Sequence, residues 1–266
     1  IVKSIFMELI SKKIVSIVQA RMGSTRLPGK VLMKIQDKPM LWHIINRIKQ
    51  CDKVDDIIIA TSNSKSDDLI YEMSKENGFI CYRGSQNDVL DRFYNAAKEN
   101  NADYIIRVTG DCPLIDSNII KKLISHFFEN RFDHCGVACG AGVANKIQTN
   151  KYPDGLDAEI FSFDVLKNAQ VNANTASERE HVTPYIWKNK NFHTGALFPS
   201  LKDFSQYRLT VDNMEDFQFI KWIYDNLYPD NNNFRLDEII NLIEKNKKII
   251  PNSHLIGQEG YDEFWE

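Results

Sequence analysis

No apolar run in these 266 residues approaches the roughly 20 needed to cross a bilayer. The sequence therefore offers no candidate membrane span, and no membrane partner is expected. Neither sign of charge dominates: 33 Lys and Arg stand against 36 Asp and Glu, a formal net charge of -3. General nucleic-acid binding usually leaves a strongly basic domain, so no nucleic-acid partner is expected either. Cysteine is scarce. Cys51, Cys81, Cys112, Cys135 and Cys139 are odd in number and lack framework spacing, so they read as free thiols of a reducing compartment. Cys135 and Cys139 find no second Cys/His pair at zinc-like spacing. Three nucleotide motifs are missing too. There is no Walker loop and no Asp-x-Asp, for which Asp157-Ala158-Glu159 is the nearest pattern. Gly140-Ala141-Gly142 is only a fragment of G-x-G-x-x-G, far from the first strand.

What is present suits one large α/β domain, with 43% hydrophobic residues to build its core. Short β-branched runs alternate with helical periodicity. Ile14–Val18, Ile57–Ala60 and Tyr104–Val108 read as buried strands. Met40, Leu41, Ile44, Ile45 and Ile48 recur at helical spacing. Ser66-Asp67-Asp68 caps a helix carrying Leu69, Ile70 and Met73, Asp88–Lys98 reads as another, and Asp116-Ser117 caps a fourth. Two more helices are expected around Phe217–Leu227 and Leu236–Ile243. This order implies a mostly parallel twisted sheet with helices on both faces, and ligands bind at the carboxyl ends of such strands. The expected organisation is a single domain over 14–252, with a less regular substrate-side subdomain over about 132–198. An N-terminal extension over 1–13 and a tail over 253–266 flank it. Met7 is a candidate natural start. Residues 1–13 lack the apolar length and cleavage site of a signal peptide, so a cytoplasmic location is expected.

The densest chemistry follows the first strand. Gln19-Ala20-Arg21-Met22-Gly23-Ser24-Thr25-Arg26-Leu27-Pro28-Gly29-Lys30 packs three cations, two glycines, two hydroxyls and a proline into one loop. Glycines let backbone N–H groups approach an anion closely. Arg21, Arg26 and Lys30 can neutralise a polyphosphate, and the arginine fork matches phosphate oxygens. Pro28 fixes the exit direction of the loop. A basic surface turn is the plain alternative. Asp111 and Asp212 each lie after an apolar strand and before a helix. Mg²⁺ takes oxygen ligands, usually one or two of them protein carboxylates, so both are candidate metal ligands; strand-end or cap aspartates are the alternative. Asp116 reads as a helix cap, Asp216 as a solvated helix charge, and His43 as a satisfied core histidine.

The loop resembles the signature of the cytidylyltransferases that activate sugar acids, and more closely the branch of spore coat polysaccharide biosynthesis proteins. Further blocks keep that family's order: Arg83-Gly84-Ser85 through Asp88–Arg92, Arg107–Asp116, Tyr152–Asp157, Ser177–Pro184 and Arg208–Asp212. The resemblance covers about Ile14 to Asn252. It implies a Rossmann-like nucleotidyltransferase fold of the GT-A kind and transfer of a nucleotidyl group from CTP, with release of pyrophosphate. The acceptor would be an acidic sugar or another phosphorylated small molecule, activated for surface polysaccharide synthesis.

The resemblance also assigns roles. Gln19, Ala20, Arg21, Gly23, Ser24, Arg26 and Lys30 would hold CTP, with Arg83, Asp88, Arg92 and Asp111 completing the nucleotide pocket. Arg21, Lys30 and Asp111 would be catalytic, and Asp111 would pair with Asp212 to place Mg²⁺. Asp154, Asp157, Glu178, Arg179 and His181 would face the acceptor. For Arg83, Asp88 and Arg92 a structural ion-pair network stands equally well. His181 is either a general base or a hydrogen-bonded structural histidine. A homodimer is implied by the resemblance alone. The alternative function is a nucleotide-sugar-dependent glycosyltransferase of GT-A type, and a non-catalytic CTP-binding module is a third.

Overall fold

Strands covered on both faces must be apolar on both faces, and three runs of this chain meet that demand at the centre of the sheet. A computed structural model describes residues 12–139 and 150–255. β1 (Ile14–Gln19) leads through the basic loop to a hairpin, β2 (Lys34–Ile35) and β3 (Lys38–Pro39). Then come α1 (Met40–Ile48), β4 (Asp56–Ser62), α2 (Asp68–Glu76), β5 (Ile80–Gly84), α3 (Val89–Glu99) and β6 (Tyr104–Thr109). α4 (Ser117–Asn130), β7 (His134–Val137), β8 (Ala158–Ser162) and α5 (Phe163–Asn172) follow. α6 (Ala176–His181), α7 (Pro184–Lys188), β9 (Thr194–Leu197), α8 (Met214–Leu227) and α9 (Leu236–Lys245) complete the order.

Seven strands form one sheet in the order β5-β4-β1-β6-β8-β7-β9. Its pairs are parallel except those of β8, which runs antiparallel to both β6 and β7. Within the region expected as a substrate-side subdomain, β7, β8 and β9 therefore extend the main sheet. The fragment Gly140-Ala141-Gly142 lies outside the described residues, as do 1–11 and 256–266. Strand alternation splits the core in two. Val18, Ile59, Ile106 and Ile160 pack under α1, α4, α8 and α9, while Val15, Ile17, Ile58, Ile105 and Phe161 pack under α3 and α5. His43 is buried and its Nε2 meets the Ile35 carbonyl at 2.7 Å, as a core histidine should. Among the described residues no helix is long and apolar enough to cross a membrane.

One glycine brings two segments together beneath the strand ends. Gly155 has φ +97°, and a Cβ there would meet Thr210 N at 2.3 Å and Leu209 C at 2.4 Å. Neither neighbour can yield. Leu209 N donates to Asp154 O at 2.7 Å, and Asp154 N donates to Tyr207 O at 3.1 Å. Gly155→Ala is expected to cost about 3 kcal/mol or more. Denaturant melts check this, and a midpoint equal to wild type would contradict it.

Candidate active site

The basic loop is folded tightly by its own backbone. Met22 O accepts from both Ser24 N and Gly29 N at 2.9 Å, and Ser24 Oγ accepts from Leu27 N at 3.3 Å. Met22 N donates to Asp67 Oδ1 at 2.8 Å, which ties the loop to the end of β4. Gly29 sits at φ +73°, in the left-handed region, and starts the single helical turn that presents Lys30.

Lys30 is the meeting point of the site. Its Nζ donates to Val211 O at 2.6 Å, to Asp111 Oδ2 at 3.3 Å and to Asp212 Oδ1 at 3.1 Å. Two carboxylates remote in sequence therefore lie within reach of one ammonium. Burial pulls the Lys30 ammonium down, but Asp111 and Asp212 outweigh it and hold it above its ordinary value. Arg26 reaches Asp212 Oδ1 at 2.9 Å, and Arg21 spans to Glu180 Oε1 at 3.5 Å. Arg21 and Arg26 are each half exposed, so their ion pairs are screened and exchangeable.

Beneath these groups lie two buried ionic networks. Arg208, 1% exposed, donates from Nη2 to Asp212 Oδ2 at 2.7 Å and Asp216 Oδ2 at 3.4 Å, and reaches Asp154 Oδ2 at 3.4 Å. Asp216 is thus not the solvated helix charge its position suggested. It is 2% exposed, accepts from Asp212 N at 2.9 Å, and forms the capping box of α8 with Asn213. Burial pushes the Asp154 and Asp157 carboxyls above the ordinary carboxylate range; for Asp154, repulsion from Asp157 comes next. Asp157 does accept one backbone bond, from Gly155 N at 2.9 Å.

In the second network, Glu159 takes Arg107 Nη1 at 2.7 Å, His134 Nε2 at 3.0 Å and Thr183 Oγ1 at 3.0 Å. Burial alone would raise the Glu159 carboxyl, but Arg107 and then His134 overcome it and hold it down at about 2, against an ordinary 4.5. A depressed carboxyl stabilises the fold above its unfolded value and loses that stabilisation as pH falls. Glu159→Gln is therefore expected to lose on the order of 3 kcal/mol at neutral pH. The gap from wild type should close as pH falls from 4.5 toward 2. Urea melts across that range check it; a gap independent of pH would contradict it.

The strand ends, loop and networks enclose a cleft of about 650 Å³. Of the residues singled out in the sequence, Gln19, Ala20, Arg21, Ser24, Arg26, Lys30, Arg92, Asp111, Asp154, Asp157, His181 and Asp212 line it. Arg92 is 2% exposed, and burial lowers its guanidinium to about 10, so an anion beside it would be favoured. Gly23, Arg83, Asp88, Glu178 and Arg179 stand outside the lining. Arg83 donates to Ser62 O and Ser64 O and pairs with Asp68 at 2.7 Å. Asp88 caps α3 through Asp91 N and takes Arg179 Nε at 3.0 Å, while Arg179 also donates to Gln170 O at 2.9 Å. Glu178 closes the capping box of α6 with Thr175. Arg83, Asp88, Glu178 and Arg179 thus make polar contacts within the protein beside the cleft; for Arg83 and Asp88 this is the structural network that stood equally well in the sequence. Arg107, Glu159, Glu180 and Arg208 line the cleft without having been singled out.

A mostly parallel α/β sheet with a cationic loop and two aspartates beyond the strand ends is the frame expected of a nucleotidyltransferase. The family model described as cytidylyltransferase matches residues 15–256. The chain belongs to that family. It is 32% identical over 243 residues to the spore coat polysaccharide biosynthesis protein SpsF of Bacillus subtilis, covering 88% of this chain and 95% of that one. A 3-deoxy-manno-octulosonate cytidylyltransferase of Trichlorobacter lovleyi is 36% identical over 118 residues, 44% of this chain and 46% of that protein. Among solved structures, a cytidylyltransferase from Leptospira borgpetersenii is 35% identical with a TM-score of 0.81, covering 91% of this chain and 98% of that one.

Proposed function

We propose that this protein transfers a cytidylyl group from CTP to an acidic sugar or sugar phosphate, releases pyrophosphate, and uses Mg²⁺ held by Asp111 and Asp212. The observation that carries the reading is the convergence of the basic loop and both aspartates on Lys30. The donor set fits the ion. Both ligands are hard oxygens, and among the described residues no group of three or more His, Cys, Asp or Glu could hold a metal alone. Mg²⁺ commonly takes one or two carboxylates and fills its shell with water and phosphate oxygens.

Arg21, Arg26 and Lys30 would exchange their carboxylate partners for phosphate oxygens of CTP. They would then neutralise the charge that gathers on the departing pyrophosphate. The acceptor oxygen attacks the α-phosphorus in line as the bond to pyrophosphate breaks. Bound at the two aspartates, Mg²⁺ would supply further charge neutralisation at the phosphates. Asp154, Asp157 and His181 line the cleft, and their polar groups would bind and orient the acceptor. An attacking phosphate oxygen is already anionic and needs no base, whereas an attacking sugar hydroxyl must give up its proton, and His181, which lines the cleft, would be the group to take it.

The likeness to an octulosonate enzyme over less than half of either chain supports the sugar-acid class of acceptor. The likeness to SpsF supports a role in polysaccharide synthesis. The reading carries a cytoplasmic location and a homodimer, which sedimentation velocity checks. The functional test is a pyrophosphate-release screen of CTP, UTP, GTP and ATP against acidic sugars and sugar phosphates. CTP with such an acceptor should release pyrophosphate. A nucleoside diphosphate released from a nucleotide sugar would point to a glycosyltransferase instead.

A further inference from the structure

Between α6 and α7 the chain does something costly. Val182 adopts φ +73° and ψ -54°, and Thr183 N donates to His181 O at 2.9 Å. This is the positive-φ form of the γ-turn, which is rare and strained. Among the described non-glycine residues with positive φ, Val182 alone is β-branched, and branching makes that region hardest to enter. The next residue is strained as well. Thr183 takes helical angles, φ -97° and ψ -14°, directly before Pro184, where proline disfavours them.

If the segment only had to end a helix, glycine or asparagine would do it without cost. Here the strain is held in place from three sides. The Val182 side chain is fully buried in the core under α3 and α5. Thr183 Oγ1 donates to Glu159. Arg179, one turn earlier, is fastened to Asp88 and Gln170. The two residues just before the turn, Glu180 and His181, line the cleft, and Glu180 reaches Arg21 of the basic loop. Backbone strain that surroundings enforce next to a site is a sign of pre-organisation.

We propose that Val182 is a positioning residue: its strained turn, anchored in the core, sets His181 and Glu180 against the phosphate-binding loop. The inference rests on reading the cleft as a CTP site. Two variants test it. Glycine accepts positive φ freely and alanine does not, so Val182→Gly should melt at or above Val182→Ala, the reverse of the usual order. A Val182→Gly protein melting several degrees below Val182→Ala would show that the turn is not strained and overturn the proposal.

The second readout is the His181 imidazole signal in NMR spectra during titration with CTP and Mg²⁺. In Val182→Gly its response should fall below about half of the wild-type response, while the Ser24 and Thr25 amides keep theirs. A wild-type response of His181 in Val182→Gly would remove Val182 from any positioning role. If CTP moves neither His181 nor the loop amides in the wild type, the CTP reading fails instead, and the melting order alone decides on Val182.

Discussion

Asp111→Ala is expected to lower CTP-dependent pyrophosphate release by about a thousandfold or more while leaving the fold intact. The side chain is 31% exposed and its nearest polar partner is Lys30 at 3.3 Å. What Asp111 contributes to the fold is its backbone: its carbonyl accepts from Val211 N at 2.9 Å and Thr210 Oγ1 at 3.3 Å. Truncation at Cβ leaves both bonds in place. The loss should therefore appear in turnover and not in melting temperature. Turnover within tenfold of wild type, in a variant that melts normally, would take Asp111 out of the mechanism.

Asp212→Asn should produce two opposed effects. The carboxylate accepts from Arg26 at 2.9 Å, Lys30 at 3.1 Å and Arg208 at 2.7 Å. On the proposed function it would compete with phosphate for two cations of the loop. Without metal, removing its charge should tighten CTP binding several-fold, since each tenfold corresponds to about 1.4 kcal/mol of altered interaction. With Mg²⁺, turnover should fall about a hundredfold or more as one metal ligand is lost. Arg208 keeps Asp154 and Asp216, so the floor of the cleft survives. Calorimetric titration of CTP in the presence of a chelator checks the first effect. If metal-free affinity falls together with turnover, Asp212 acts by holding structure, not by sharing the loop cations.

Much of the frame was legible because it is local. β1, β4 and β6 are apolar on both faces, so their runs stand out, and the parallel order follows from the helices between them. The basic loop was legible for the same reason. Its cations, glycines and proline sit side by side, and no distant contact is needed to see them. β7, β8 and β9 were not. They are four or five residues long, and their sequences, such as His134-Cys135-Gly136-Val137, carry no strong period. What makes them strands is pairing with β6 and with each other.

The buried ions failed in a different way. Arg107 lies in an apolar strand and Arg208 beside Leu209. Each such charge demands a partner, which was a usable signal. The partner of Arg107 is Glu159, 52 residues away, and no spacing rule names it. Asp216 was readable in principle, since Asn213 three residues earlier makes it a capping-box position. The family resemblance assigned Asp88 to the nucleotide and Arg179 to the acceptor, and a motif match carries no information on which partner a charge already has. Their geometry shows that they spend those charges on each other.

On the proposed function the basic loop and the two aspartates serve one nucleoside triphosphate, and Lys30 is where they meet. The most direct measurement is calorimetric titration of CTP with Mg²⁺ into wild type and Lys30→Met. Saturable binding to wild type, weakened about a hundredfold in the variant, is the predicted result. Binding of equal affinity to both proteins would contradict it, because the triphosphate would then lie somewhere other than this cleft.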